Sequence, residues 1–130
     1  MITEDYVNFE ITKLLKEKGF SENTEHKIWY VIKQFSTGCH WNSCTYKVGD
    51  TTREYNDDCC IPMPTLQMAM KWLREVHNLH VDIDPSEGDW KPNIIELENW
   101  SCVDNGEISI CNTYEQACEA AIKYCLENLI

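Results

Sequence analysis

The sequence has 130 residues, 43% of them hydrophobic and 11% aromatic, and a formal net charge of −11. This composition excludes a disordered chain, and the length suits a single domain, residues 1–130, whose core needs no disulfide or metal to hold it. An acidic surface repels phosphate, so we expect no direct binding to nucleic acid, and a basic protein partner is its natural complement.

The N-terminal residues include acids where a signal peptide requires Lys or Arg. No apolar run approaches the roughly 20 residues that cross a bilayer. We therefore expect a cytoplasmic protein without a membrane partner. In that reducing compartment the eight cysteines are more often free thiols or metal ligands than disulfides.

The chain opens with a predicted helix over residues 3–18. Thr3 can cap its N-terminus, and Gly19 is a natural stop. Its apolar residues recur at helical spacing and form one stripe: Val7, Ile11, Leu14 and Leu15.

Residues 27–35 are rich in β-branched and aromatic side chains, which predicts a strand. Residues 45–48 are its predicted antiparallel neighbour, so residues 36–43 become the connection. Residues 49–62 are polar and end in "CCIPMP". Because proline interrupts a hydrogen-bonded ladder, this segment is predicted to be a loop.

A second helix is predicted over residues 65–78, with Pro64 at its start. Its buried stripe is predicted to consist of Leu66, Ala69, Met70, Leu73 and either Val76 or His77. Residues 79–84 then alternate between apolar and polar side chains and predict a strand. Residues 84–92 have the composition of a turn.

Asn105-Gly106 is a strong hairpin signal between two further predicted strands. A two-residue turn there would place Val103 opposite Ile108 and Ser101 opposite Ile110. The chain closes with a helix that Thr113 and Gln116 cap. Its predicted buried face consists of Ala117, Cys118, Ala121, Ile122, Cys125 and Leu129.

The predicted order is therefore α-β-β-α-β-β-β-α. This order favours an α+β fold in which helices cover a mainly antiparallel sheet, in a sandwich-like arrangement.

The cysteines of "CHWNSC" and the following doublet are candidate zinc ligands: Cys39, Cys44, and Cys59 or Cys60. Thiolates in two close-spaced groups can supply the tetrahedral shell that zinc prefers. The spacing is not a standard zinc pattern, and adjacent cysteines diverge in an extended chain. The alternative is that these thiols are small apolar or loop side chains.

Two tryptophans, Trp41 and Trp90, fall in predicted loops. An exposed loop tryptophan is a good anchor for a partner, and the alternative is that each side chain folds back onto the core. His80, Asp82 and Asp84 share the predicted outer face of one strand, which indicates a solvated polar face more readily than a metal site. No cofactor is expected, because the sequence lacks a glycine-rich phosphate loop and the serine-nucleophile motif.

Residues 64–80, "PTLQMAMKWLREVHNLH", and 113–130, "TYEQACEAAIKYCLENLI", resemble a group of small uncharacterised proteins. Phages, prophages and mobile elements of gut anaerobic bacteria encode this group. The resemblance implies an α+β sandwich and a phage or mobile-element setting. It implies no activity, cofactor or catalytic residue, and the segment 36–62 departs from the group.

Three hypotheses follow. The first is a non-enzymatic phage or mobile-element accessory protein that acts by binding another protein through the segment 36–62. The second is a small zinc-stabilised module. The third is an acidic mimic of nucleic acid that inhibits a host DNA-binding protein, which requires the acids of residues 81–130 to follow one face at phosphate spacing.

Overall fold

The structure is a computed structural model that describes residues 1–21, 27–35, 38–48, 60–103 and 108–130. Its elements are α1 (Phe9–Glu17), β1 (Lys27–Phe35), β2 (Gly38–Val48), β3 (Cys60–Met63), α2 (Leu66–His77), β4 (Leu79–Ser86), β5 (Asp89–Glu96), β6 (Ser101–Cys102) and α3 (Tyr114–Tyr124), followed by a π-helical turn, Cys125–Leu129. Every described strand pairing is antiparallel, so the predicted α+β class is confirmed.

The chain forms two compact units, which are described separately. One unit comprises residues 8–64, and the other comprises residues 1–7 together with 65–130. Within the described residues, no helix has the length and apolar content that crossing a bilayer requires.

Helix α1 begins later than predicted. Asn8, not Thr3, caps it: the Asn8 side chain accepts a hydrogen bond of 2.9 Å from the Ile11 N–H. Residues 1–7 lie outside the helix, and Tyr6 instead pairs with Thr65 as an isolated bridge. The predicted stop is confirmed, because Gly19 has a φ of +94° and ends the helix in the left-handed conformation.

The sheet of the first unit has the order β2-β1-β3. Strand β2 begins at Gly38, so only residues 36–37 lie between β1 and β2, and the predicted connection over 36–43 is wrong. The predicted loop is also wrong over its last residues, because β3 pairs with β1. Pro62 is tolerated in β3 because this strand lies at the edge of the described sheet, where the outward-facing backbone groups need no hydrogen-bond partner in a neighbouring strand.

Helix α2 matches its prediction closely. Thr65 caps it by accepting a hydrogen bond from the Met68 N–H (3.2 Å), and Asn78 ends it with a φ of +56°. The predicted stripe is buried as far as Leu73, together with Trp72, whereas Val76 is exposed. Strand β4 begins at Leu79, directly after this left-handed residue.

The second unit contains the sheet β4-β5-β6, on which α2 and α3 pack. Strands β4 and β5 form a hairpin whose two turn residues, Glu87 and Gly88, both have a positive φ (+47° and +92°). Such a turn matches the twist of the strands it joins. The predicted turn over 84–92 is therefore reduced to these two residues, and its flanks belong to the strands.

The predicted hairpin about Asn105-Gly106 is wrong in its pairing, although these two residues lie outside the described part. Ser101 pairs with Glu96 of β5, and Cys111 pairs with Trp90 of the same strand. Both flanks of the expected hairpin thus bond to one edge of β5. Pro92 lies between these two attachment points, where it has no N–H group that would require a partner.

Helix α3 begins as predicted, with the Thr113 hydroxyl accepting a hydrogen bond of 3.1 Å from the Gln116 N–H. Its predicted buried face is confirmed as far as Cys125. Beyond that point Leu126 is buried instead of Leu129. The last turn is π-helical, and its additional residue rotates the following side chains relative to an α-helix.

Ile94, at the centre of the second unit, has no exposed surface, whereas Ile110 is 56% exposed. Replacing Ile94 with Ala is expected to lower the free energy of unfolding by about 2 to 5 kcal/mol, because it removes buried methyl groups and leaves a cavity. The matched change Ile110→Ala is expected to have an effect within about 0.5 kcal/mol. Urea denaturation measures both, and equal losses would contradict the assigned core.

Candidate functional site

The segment "CHWNSC" lies in β2 and not in a loop. Cys39 pairs with Gln34 of β1. Cys44 lies at an irregularity in the same pairing, between the residues of β2 that pair with Tyr30 and with Val31. Cys60 pairs with Val31 from the other side of β1. The fourth candidate, Cys59, lies outside the described residues.

Strand β1 therefore separates the backbones of Cys44 and Cys60 by two strand spacings, or about 10 Å. Zinc binds each thiolate sulfur at about 2.3 Å, so two cysteines that share one ion must have their sulfur atoms close together. The backbone separation of Cys44 and Cys60 is unfavourable for such a site. The side chains of Cys39, Cys44 and Cys60 lie outside the described part. Among the side chains that the structure does describe, no group of three His, Cys, Asp or Glu residues has the arrangement of a metal site.

Trp41 and Trp90, the two predicted anchors, both lie on strands. Trp41 belongs to β2 and pairs with Ile32. Trp90 belongs to β5 and is half-buried, with its ring edge-on to Tyr114 at a centroid distance of 5.5 Å. Its N–H and C=O both bond to Cys111, at 2.8 and 2.9 Å. Trp90 is thus part of the packing between β5 and the start of α3.

The outer face of β4 is polar, as predicted. Asp82 and Asp84 are exposed, His80 is partly exposed, and Asp84 accepts a hydrogen bond of 2.6 Å from the Asn93 amide of β5. The opposite face of the same strand carries Leu79 and Val81 into the core.

The cysteines of α3 and its final turn are core residues. Burial raises the pKa of the Cys118 thiol to about 11 and that of Cys125 to about 12. Because the thiolate is the reactive form, both side chains are poor nucleophiles and poor metal ligands in the folded protein. Cys102, on β6, is the exposed thiol of the second unit's described cysteines.

A shallow cleft of about 200 Å³ lies where α2 and α3 both begin. Across it the Gln67 amide donates a hydrogen bond of 3.2 Å to the Tyr114 hydroxyl. Asp5 and Glu115 also line this cleft, and one turn along α3 the pKa of Glu119 is raised, by burial first and then by these two carboxylates. The negative charge offsets the affinity for anions that two helix N-termini would otherwise provide.

The most unusual surface feature is the turn between β5 and β6, which we call the Trp100 turn (residues 97–101). Trp100 is 79% exposed and has a φ of +55°. A bulky residue in this left-handed region is rare, because its Cβ crowds the backbone at a cost of about 1 to 2 kcal/mol.

The neighbours of Trp100 hold the backbone in this conformation. The Asn99 side-chain oxygen accepts hydrogen bonds from the Ser101 N–H (3.3 Å) and the Ser101 hydroxyl (2.7 Å). The Leu97 N–H donates to the Asn78 carbonyl at the end of α2 (2.9 Å). The turn is thus fixed on both sides of an indole that faces solvent.

The sequence did not single out Trp100, because "NIIELENWSCV" predicts one continuous strand. In such a strand alternate side chains face the core, and a tryptophan is expected among them. The available signal was Asn99, since Asn favours turns and bonds to the backbone two residues further on. No family model matches the sequence, and no match was found among curated proteins or solved structures.

Raising the pH from about 9 toward 12 is expected to lower the free energy of unfolding through Cys118 and Cys125. Their folded pKa values lie above the ordinary 9.0, so the stabilising contribution is complete below pH 9 and is lost as the pH rises through about 11 and 12. Urea midpoints measured across this range should fall more steeply for the native protein than for Cys118→Ala/Cys125→Ala.

The matched control for this titration is Cys102→Ala, which removes a thiol that is hydrated in both states. It should retain the steep dependence of the native protein. A double core variant with an unchanged dependence would contradict the assignment.

Proposed function

We propose that this chain is a non-enzymatic protein-binding module whose anchor is Trp100. The observation that carries the proposal is the combination of 79% exposure with a φ of +55°. Gly or Asn would suit this backbone better, and a polar side chain would suit this surface better. A residue that violates both preferences is expected at a functional site, and tryptophan is among the side chains most enriched at binding hot spots.

The site proposed here replaces the segment 36–62 as the expected binding region. The second unit presents Trp100 on a turn that is hydrogen-bonded to the end of α2, so the backbone that carries the indole is fixed before a partner arrives. Such pre-organisation reduces the entropy lost on binding. The phage or mobile-element setting is a separate part of the proposal, and it is supported by the resemblance of residues 64–80 and 113–130.

Binding through Trp100 is preferred over the two alternatives for geometric reasons. A zinc-stabilised module that uses Cys60 would have to bring it together with Cys44 across β1. A nucleic-acid mimic needs one row of charges, whereas Asp82 and Asp84 lie on the outer face of the second sheet and Glu115 lies on a helix that covers the other face.

Trp100→Gly separates binding from stability. The variant is expected to unfold at the same or a higher urea concentration, because Gly accepts the positive φ and the lost side chain buries little surface. It is also expected to lose binding. Peptides selected from a random displayed library against the native protein should bind the Gly variant at least about tenfold more weakly.

The matched control is Ile110→Ala, which also removes an exposed apolar side chain from the second unit. It should leave the affinity of the selected peptides unchanged. Peptides that bind native protein and Trp100→Gly equally would contradict the proposal, as would a selection that enriches no peptide at all.

A further inference from the structure

The sequence around Trp100 is acidic. Glu96 and Glu98 lie within four residues of it and are both exposed. Between Lys91 and Lys123 the sequence has no Lys or Arg, while it has six acids: Glu96, Glu98, Asp104, Glu107, Glu115 and Glu119. Trp100 is therefore flanked in sequence by exposed carboxylates, and no Lys or Arg lies among them.

The C-terminal end of α2 adds to the negative electrostatic potential near the Trp100 turn. The Trp100 turn is bonded to Asn78, the residue that ends this helix, and the C-terminus of a helix carries a partial negative charge. Arg74 lies in the last turn of α2 and offsets part of this charge. Lys71 lies one turn earlier and pairs with Glu75 at 3.9 Å.

An exposed tryptophan that is flanked by carboxylates favours a cationic group on its partner. The face of tryptophan attracts cations more strongly than the face of any other side chain, and arginine stacks on it through a planar guanidinium. The edges of the same guanidinium can hydrogen-bond to a carboxylate. A wholly apolar pocket would instead desolvate Glu96 and Glu98 without compensation.

We infer that the partner of the Trp100 turn is an arginine-bearing protein segment, in which a guanidinium stacks on Trp100 and pairs with Glu96 or Glu98. This inference rests on the proposed function, because it names the chemistry of the partner at the proposed site. A second copy of this chain is disfavoured as the occupant, because its own Trp100 turn has the same acidic charges.

Three synthetic peptides of equal length test the inference. One carries several arginines separated by Gly and Ser, the second replaces each arginine with citrulline, and the third replaces each with Leu. Each is titrated against native protein, Trp100→Gly and Glu96→Gln/Glu98→Gln by isothermal calorimetry. Citrulline retains the shape of arginine but lacks its charge, so the first two peptides isolate the charge.

The arginine peptide is expected to bind native protein at least about tenfold more tightly than the citrulline peptide. Both variants should reduce that affinity by about tenfold or more. The affinity should also fall as ionic strength rises from about 0.05 to about 0.5 M, because the pairing is electrostatic.

The outcomes separate the inference from the proposed function. Binding of the Leu peptide alone, with loss in Trp100→Gly, would overturn the arginine partner and leave Trp100 as the anchor. Equal binding of the arginine peptide to native protein and Trp100→Gly would overturn the inference, and the library selection then decides the proposed function. Self-association that sedimentation detects in native protein and not in Trp100→Gly would make the partner a second copy and also overturn the inference.

Discussion

Hydrogen bonding along both edges of β5 is the constraint on which the second unit depends. One edge bonds to β4 through a two-residue turn, and the other bonds first to Ser101 and then to Cys111. The second attachment also fixes where α3 begins, since Thr113 caps the helix two residues after Cys111. Ile94 and Trp90 of this strand then contribute to the packing under the helices.

The arrangement of β5 also explains why the Trp100 turn is so constrained. The chain leaves β5 at Glu96 and must return to the same strand at Ser101, which pairs with Glu96 itself. Four residues complete this reversal, and the Leu97 N–H is already bonded to Asn78. A left-handed residue accommodates such a reversal, and here Trp100 occupies that position.

The helices could be predicted from the sequence because their signals are local. Thr65 and Thr113 cap α2 and α3 as expected, and the buried stripes of both helices follow the helical period. The exceptions have local causes too. Asn8, and not Thr3, caps α1, and the π-helical turn moves Leu129 off the buried face.

Strand pairing could not be predicted to the same extent, because it depends on residues that are distant in sequence. Asn105-Gly106 predicts that the segments on either side of it pair with each other. In the structure both segments pair with β5 instead, through Ser101 and Cys111. The same limitation concealed β3, whose single proline, Pro62, is compatible with an edge position that the sequence alone does not reveal. Trp100 was missed for a related reason: the left-handed conformation follows from the return of the chain to β5.

The conformation of Trp100 has an evolutionary consequence. Selection for stability alone would favour Gly or Asn over a left-handed, exposed tryptophan, because both relieve the backbone and the surface at once. Folding alone therefore provides no selection to retain an aromatic residue at position 100. Among natural variants, persistence of an aromatic ring there would record selection for recognition, and drift to Gly would indicate a lineage that no longer needs the partner.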